Sequence, residues 1–265
     1  YVHMSDEEIR LARARYYASI NWIDHMIGNV LDKLEELDDP RNPGKKLSQT
    51  TIVIYTTDHG DMMGEKYLFL KNQHYEGSAR VPFIVRMPGV ISEGSRSEIL
   101  MNHVDMIPTL AGLAGCGAGI DANTYGKNYA NAVLANDPAL GPRRTFSVEG
   151  IGSADAHPGN VMSRTLQYKF IRDRDKGPDD LHYPVLFDMI NDPMETKNLA
   201  YDKAYAHIVN QENAAIDDFL SQFGVNPLNI VVSDSVVPVS GVSIGACSDL
   251  KVGNTHQLSA TVTPT

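Results

Sequence analysis

The sequence has few cysteines, no excess of basic residues and no long apolar run. Its two cysteines, Cys116 and Cys247, form neither a CxxC pair nor a metal knuckle, so the chain carries no disulfide framework. The formal net charge of −10, without a cluster of Lys and Arg, argues against a general nucleic-acid-binding protein. No run approaches the roughly 18 apolar residues of a membrane span, so we expect a soluble chain.

The composition is that of a folded protein. Hydrophobic residues make up 42% and charged residues 21% of the 265 residues, which excludes an intrinsically disordered or collagen-like chain. Domains centre on about 100 to 150 residues, so this length suffices for one large domain or two ordinary ones. Residues 1–5 show no signal-peptide pattern and lead almost directly into a helix, which suggests a piece of something longer.

The first part of the chain alternates between helical and strand patterns. Ser5 and Glu8 have the spacing of a capping box, and the apolar residues that follow recur at helical steps, which predicts one long amphipathic helix. The run Thr50–Thr57 is β-branched and aromatic without alternation, which is typical of a strand buried on both faces of a parallel sheet. A second strand, Val81–Arg86, and a short helix, Asp105–Leu113, complete this part.

The pattern changes after about residue 140. Short strands and then one amphipathic helix indicate a small α+β subdomain: Thr145–Glu149, Tyr168–Arg172, Val185–Met189 and about Ala204–Phe223. Near the end, Val239–Ile244 and Gln257–Val262 alternate like the first strands of a β-sandwich. We therefore expect an α/β domain in residues 1–140, an α+β subdomain in 141–228, and a linker with an unfinished β-sandwich in 229–265.

Asp58 and His59 directly follow the first predicted strand. Ligands bind outside the carboxyl ends of strands in open α/β sheets, so this is a favourable position for a site. A carboxylate oxygen and an imidazole nitrogen can hold one divalent cation, with oxygen favouring Ca²⁺ or Mg²⁺ and nitrogen tolerating Mn²⁺ or Zn²⁺. In the alternative interpretation, Asp58 caps a loop and His59 only packs.

The segment 71–80 adds further polar side chains. Lys71 carries a compact positive charge that can bind a tetrahedral anion or stabilise a leaving oxygen, although a single lysine is more often a solvated surface residue. Glu76 and Arg80, taken alone, are more typical of a structural or surface ion pair. Lys71, Glu76 and Arg80, taken together with His74 and the preceding Asp-His pair, say more about function than any one of these residues alone.

These motifs, in this order, resemble the carboxyl-terminal half of the sulfatase family, within the alkaline-phosphatase-like superfamily. The resemblance rests on Thr56–Glu65, Lys71 and Tyr75–Pro82. Other segments extend it over about residues 8 to 224: Tyr16–Gly28, Val104–Leu110, Arg164, Tyr168–Ile171, Leu186–Asp188 and Asn191–Leu199. The implied fold is part of a sulfatase mixed α/β sheet with flanking helices, followed by a small α+β subdomain.

The resemblance also implies roles for single residues. Asp58 and His59 become ligands of a divalent metal, Ca²⁺ first with Mg²⁺ or Mn²⁺ as alternatives. Lys71 becomes the catalytic lysine that contacts the sulfate or its leaving oxygen. His74 is a further candidate for substrate binding, to which the family assigns no definite role.

The family's nucleophile is absent from the sequence. In sulfatases a cysteine or serine in a Cys/Ser-x-Pro/Ala-x-Arg motif is oxidised to formylglycine, and an early Asp-Asp pair completes the metal site. Neither Cys116 nor Cys247 is followed by that motif, and the pair is missing. The resemblance therefore implies a nucleophile upstream of residue 1 and an inactive isolated chain.

The tail resembles a different family. Val239–Ile244, Leu250–Gly253 and Gln257–Pro264 are similar to the start of a bacterial immunoglobulin-like (group 2) repeat. Such modules are common on secreted and surface proteins, so this resemblance implies a periplasmic, secreted or cell-surface location.

Three functional hypotheses follow. The first is a sulfuric ester hydrolase acting on a small sulfate ester or a sulfated polysaccharide by a formylglycine mechanism. The second is a phosphate or phosphonate monoester hydrolase of the same superfamily, since both substrates are tetrahedral oxyanions. The third is a surface protein in which the sulfatase-like part is a non-catalytic scaffold.

Overall fold

A computed structural model describes residues 4–116, 125–149, 159–173, 184–223, 239–244 and 260–264. The amino-terminal part contains helix α1 (Asp6–Glu36), helix α2 (Leu47–Thr50), strand β1 (Val53–Thr56), helix α3 (Glu76–Ala79) and strand β2 (Phe83–Arg86). Helices α4 (Met106–Leu113) and α5 (Ala130–Ala135) then precede four strands and a helix: β3 (Arg144–Glu149), β4 (Asn160–Thr165), β5 (Tyr168–Asp173), β6 (Val185–Asp188) and α6 (Ala206–Ser221). This mixed α/β architecture agrees with the predicted fold class.

Helix α1 begins at the predicted capping box. The Ser5 hydroxyl accepts from the Glu8 amide at 3.3 Å, and the Glu8 carboxylate accepts from the Ser5 amide at 2.8 Å. The apolar stripe of such an amphipathic helix normally packs against another element, but no residue of α1 is buried, and Trp22 is 66% exposed. The first turns contact the rest of the protein, where Arg13 Nε donates to the Met63 carbonyl at 2.8 Å.

The prediction of a parallel strand buried on both faces is wrong for β1. This strand pairs antiparallel with β2, with Val53 opposite Arg86 and Thr56 opposite Phe83, and none of its residues is buried. A continuous β-branched run indicates that both faces of a strand are apolar. It does not report the direction of the neighbouring strand, which depends on a partner 30 residues further along the chain.

The second sheet has the antiparallel order β3-β4-β5-β6, and it carries the main core on one face. Helix α6 covers this face through Val209, Ile216 and Leu220, which pack against Phe170 and Leu186 of the sheet. A second buried cluster, on Met162, Ile171, Phe187 and Met189, also includes Tyr75, from the segment that precedes α3. The predicted short strands and the final helix are confirmed, and the sheet is covered on two faces.

Two ion pairs lie on the α6 side of this sheet. The buried Glu212 carboxylate accepts from Arg144 Nη2 and from the Ser163 hydroxyl, each at 2.6 Å. Arg172 pairs with Asp217. These contacts fix the register of the amphipathic helix against the strands.

In the tail, strands β7 (Val239–Ile244) and β8 (Ala260–Pro264) pair antiparallel. Strand β7 coincides with the predicted segment. Residues 257–259 of the second predicted segment lie outside the described residues, as does Cys247.

Among the described helices, none combines the length and the hydropathy that crossing a membrane requires.

Removing a side chain from the main core tests this architecture. Ile216 is fully buried, so we expect Ile216→Ala to lower the free energy of unfolding by about 2–5 kcal/mol through lost burial and a cavity. Ile190 is 65% exposed, so Ile190→Ala should change this free energy by less than about 0.5 kcal/mol. Urea unfolding followed by far-UV circular dichroism measures both, and equal losses would contradict the assigned core.

Candidate active site

Asp58 lies two residues after the end of β1, where the chain turns. One of its carboxylate oxygens, Oδ1, accepts from the His59 amide at 2.9 Å and from the Thr57 hydroxyl at 3.1 Å. These hydrogen bonds, the one from the His59 amide first, lower the pKa of Asp58 below its usual value. The carboxylate is therefore ionised at neutral pH, and its second oxygen stays available because the side chain is 81% exposed.

The tautomer of His59 follows from its hydrogen bond. Its Nδ1 lies 2.8 Å from the Gly60 carbonyl oxygen, which can only accept, so Nδ1 carries the proton. When the ring is neutral, its lone pair is then on Nε2, 3.4 Å from Asp58 Oδ2. Two ligand atoms about 2.3 Å from one cation and at right angles lie roughly 3.3 Å apart. The pair therefore fits two ligands of one divalent cation.

A complete metal shell needs more than these two side chains. Within the described part of the chain, no three residues of the types His, Cys, Asp and Glu are grouped so that they could hold a metal ion. Asp58 also closes its own turn, so the loop-capping interpretation and the metal-ligand interpretation are compatible. The assignment of Asp58 and His59 as ligands remains a prediction.

The loop that carries Asp58 and His59 is joined to the segment that follows Lys71. The Gly60 amide donates to the Ser78 carbonyl at 2.8 Å. The approach is so close that a Cβ on Gly60 would lie 2.1 Å from the Gly77 carbonyl oxygen. Glycine is required here by the contact, not by an unusual φ.

Lys71 follows a tightly wound loop. The Met62 amide donates to the Leu70 carbonyl at 2.9 Å, and Asp61 Oδ1 accepts from the Leu70 amide at 3.1 Å. Five non-glycine residues of this loop have a φ between 44° and 67°, a conformation that costs on the order of 1 kcal/mol each: Met63, Lys66, Tyr67, Leu70 and Asn72. The Lys71 side chain is exposed, and its ammonium has no hydrogen-bond partner among the described residues. Its charge is available to a ligand, and its catalytic role remains a prediction.

His74 is placed differently from Lys71. Its side chain is 2% exposed, and Nε2 donates to the Asn160 carbonyl of β4 at 3.2 Å. Burial lowers its pKa to about 4, and the nearby Lys169 charge acts in the same direction. This geometry gives His74 a contact with the subdomain sheet, and a contact with substrate remains a prediction.

Sequence reasoning missed two residues on the subdomain that contact this segment. Lys169 of β5 is 1% exposed, and its ammonium donates to Glu195 at 2.7 Å, Glu76 at 2.5 Å and the His74 carbonyl at 2.9 Å. Lys169 falls in an otherwise apolar strand, which is the only signal that the sequence offers. Glu76 therefore takes part in two ion pairs. One, with the exposed Arg80 at 3.7 Å, is the surface pair that its type suggested, and the other, with the buried Lys169, joins it to a residue 93 positions away.

His103 is a third missed residue. Its Nε2 lies 2.7 Å from the carbonyl oxygen of Thr57, the residue before Asp58. The ring therefore fixes the backbone at the end of β1 from the helix α4 side. Only the fold brings these residues together, because they are 46 positions apart.

The mixed α/β fold is that of the alkaline-phosphatase-like superfamily. Two family profiles identify the family: "Sulfatase" over residues 4–116 and "N-sulphoglucosamine sulphohydrolase, C-terminal" over residues 64–222. The chain belongs to the sulfatase family.

Curated relatives are sulfatases. Arylsulfatase K of Rattus norvegicus is 33% identical over 198 residues, which cover 74% of this chain and 33% of that protein. Endo-4-O-sulfatase of Bacteroides thetaiotaomicron is 28% identical over 198 residues, which cover 71% of this chain and 37% of that protein. The chain thus spans about a third of the length of these relatives.

Solved structures agree in fold. One, in complex with its substrate D-glucosamine-2-N,6-O-disulfate, has a TM-score of 0.67 and 26% identity, with 82% of this chain and 42% of that chain covered. The phosphonate monoester hydrolase of Agrobacterium radiobacter has a TM-score of 0.68 and 23% identity, with 83% and 43% covered, and at that identity it shows the fold alone.

A methyl group at position 60 tests the junction of the two loops. We expect Gly60→Ala to lower the free energy of unfolding by about 1–3 kcal/mol, because the added Cβ collides with the Gly77 backbone. The matched control is Gly28→Ala in α1, where no atom lies within 4 Å of the added Cβ, and this change should raise stability by about 0.5–1 kcal/mol. Urea unfolding measures both; a gain at both positions would refute the contact.

The buried imidazole predicts a pH dependence of stability. The pKa of His74 is lowered from 6.5 to about 4, so between these values the unfolded chain binds a proton that the folded chain does not. This contribution to stability is complete above pH 6.5 and is lost as the pH falls towards 4, by roughly 3 kcal/mol in total. The measurement is urea unfolding at a series of pH values.

His74→Gln should remove this component, so its stability relative to the unchanged chain should improve on acidification. The exposed His207 provides the control, because His207→Gln should preserve the pH dependence. A constant difference between the chain and His74→Gln from pH 7 to pH 4.5 would show that His74 titrates normally.

Proposed function

We propose that this chain is part of a sulfuric ester hydrolase and contributes a metal-ligand pair and the lysine that binds the sulfate group. The observation that carries the proposal is the junction of the two loops. The Gly60–Ser78 hydrogen bond holds the Asp58–His59 pair against the segment that carries Lys71. An anionic ester needs positive charge from both sides, and these two loops supply it from a cation and an ammonium.

Asp58 and His59 would hold the cation through Oδ2 and Nε2, the two atoms that their other hydrogen bonds leave available. When bound, a divalent cation, Ca²⁺ first with Mg²⁺ or Mn²⁺ as alternatives, supplies Lewis-acid stabilisation of sulfate oxygens. Asp58 contributes by remaining ionised, and His59 by keeping its proton on Nδ1. Lys71 contributes a positive charge that neutralises the sulfate or the departing oxygen.

The nucleophile is proposed to be a formylglycine outside these 265 residues. Cys116 is an exposed free thiol in a Gly-Cys-Gly context without the modification motif. Cys247, which also lacks the motif, lies outside the described residues. The 265-residue chain by itself is therefore expected to release no sulfate.

The proposed substrate class is a sulfated carbohydrate. Support comes from relatives, since one is named an endo-4-O-sulfatase and one structure contains a disulfated glucosamine as its substrate. A smaller sulfate ester would satisfy the same charges.

The second candidate is a phosphate or phosphonate monoester hydrolase. The fold likeness to a phosphonate monoester hydrolase favours it. Asp58, His59 and Lys71 would bind either tetrahedral oxyanion. The named relatives favour sulfate.

The tail supports a proposal about location. Strands β7 and β8 pair antiparallel, and antiparallel pairs are the units of an immunoglobulin-like sandwich. We propose such a module in residues 229–265 and, with it, a periplasmic, secreted or cell-surface location.

The test uses the longest protein product of the locus that encodes these residues, made together with a formylglycine-generating enzyme. We expect it to hydrolyse an aryl sulfate and a sulfated glucosamine faster than the matching phosphate esters. Lys71→Ala should lower kcat by roughly 10²–10³-fold, the effect of removing one group that stabilises developing charge. Lys203→Ala removes an exposed lysine three residues before α6 and should leave kcat unchanged.

Three results would contradict the proposal. Faster hydrolysis of phosphate or phosphonate esters would favour the second candidate. Full activity of Lys71→Ala would remove Lys71 from the mechanism, and absence of any hydrolysis would favour the non-catalytic scaffold.

A further inference from the structure

The Lys169 cluster, defined as Lys169, Glu195 and Glu76, connects the subdomain sheet to the segment that carries Lys71. The Lys169 ammonium has three N–H donors and three acceptors: Glu195 Oε1 at 2.7 Å, Glu76 Oε1 at 2.5 Å and the His74 carbonyl at 2.9 Å. The charge is 1% exposed, so water does not replace a lost partner. Two of the three acceptors belong to the segment beside Lys71.

Glu195 binds this segment a second time. While Oε1 accepts from Lys169, Oε2 accepts from the Glu76 amide at 3.0 Å. The backbone around Glu195 also takes part. The Lys66 ammonium donates to the Glu195 carbonyl at 2.6 Å and to the Met194 carbonyl at 3.0 Å. Residues on both sides of Lys71 are thus held by one turn of the subdomain.

The cluster includes energetically unfavourable features, so a contribution to stability does not explain why it is present. Glu195 adopts a φ of 55°, which is unfavourable for a residue with a side chain. A buried ion pair contributes little to stability compared with well-packed apolar residues, and the same face of the sheet already has an apolar cluster that includes Tyr75. What a fully satisfied ion cluster adds is a defined geometry.

That geometry is transmitted to Lys71 from both ends. On the amino-terminal side, Leu70 is held by Asp61, three residues after Asp58. On the carboxyl-terminal side, His74 is held through its carbonyl by Lys169 and through its ring by Asn160. Lys71 therefore lies between an anchor on the Asp58–His59 loop and an anchor on the subdomain.

We infer that Lys169 is a positioning residue: its cluster sets the distance between Lys71 and the Asp58–His59 pair. The consequence for turnover rests on the proposed function, whereas the placement of residues 70–76 does not. A disrupted cluster should release this segment while the α6 side of the sheet stays intact.

The first experiment measures amide hydrogen exchange by NMR in the 265-residue chain. In Lys169→Met, the Glu76 amide and the amides of residues 70–74 should exchange at least tenfold faster than the change in global stability accounts for. The matched control is Arg144→Met, which breaks the ion pair with Glu212 on the opposite face of the same sheet and should change exchange only through global stability. Lys169→Arg, which keeps the charge, should restore at least part of the protection.

The inference would be overturned if, in both Lys169→Met and Arg144→Met, the change in global stability fully accounted for the exchange rates of residues 70–76. If Lys169→Met does not fold, Glu195→Gln serves instead, because it keeps an acceptor and removes one charge. It should shift the His74 ring resonances and speed exchange of the Glu76 amide, and the absence of both changes would equally overturn it.

The second experiment uses the longer protein and a sulfate ester. Lys169→Met should lower kcat at least tenfold with a smaller change in KM, and Arg144→Met should keep kcat within about twofold. If residues 70–76 exchange faster in Lys169→Met but the unchanged longer protein has no sulfatase activity, the proposed function is refuted and the positioning role is retained. Unchanged kcat in Lys169→Met would refute the positioning role in catalysis and retain the proposed function.

Discussion

The buried ammonium of Lys169 is the interaction on which the arrangement of the site depends. It is satisfied by two carboxylates and one backbone carbonyl, and two of these acceptors come from the segment next to Lys71. Removing one partner of a buried ion pair costs about 3–5 kcal/mol, so this segment cannot leave β5 without a large loss of stability. The subdomain sheet thus has two functions in the fold: one face packs on α6, and the other holds a loop of the candidate active site.

A second contact joins this loop to the Asp58–His59 pair. The backbones at Gly60 and Gly77 are too close to admit a Cβ, and the Gly60 amide is hydrogen-bonded to Ser78. Together with the cluster, this contact makes a continuous path from β1 through α3 to β5. The two sides of the proposed anion-binding site are therefore placed by backbone contacts and one buried charge, while the side chains of Asp58 and Lys71 remain exposed.

The sequence predicted features that depend on near neighbours and missed those that depend on distant ones. The capping box of Ser5 and Glu8 and the helix α6 were predicted because each follows from a pattern within a few turns. The antiparallel partner of β1 was not, because an apolar run is compatible with either direction. Lys169 and Glu195 were not recognised, because a lysine in a strand and a glutamate in a turn are unexceptional in sequence. They form a buried ion cluster only when the fold brings them to Glu76. Asp58, His59 and Lys71 were found through their order along the chain, which a family resemblance makes recognisable.

The burial pattern implies that stability differs between the two ends of the site. The subdomain has buried clusters on both faces of its sheet, whereas α1 buries no residue over 31 positions. Such a helix depends on its cap, on surface pairs such as Lys33–Glu36 and on a few contacts of its first turns, so it belongs to the part that opens most easily. Those first turns bind the loop at Met63 and Gly64, on the amino-terminal side of Lys71. The subdomain consequently holds the segment around Lys71 more firmly than α1 does, and whatever covers the exposed stripe of α1 would also tighten the loop at Met63 and Gly64.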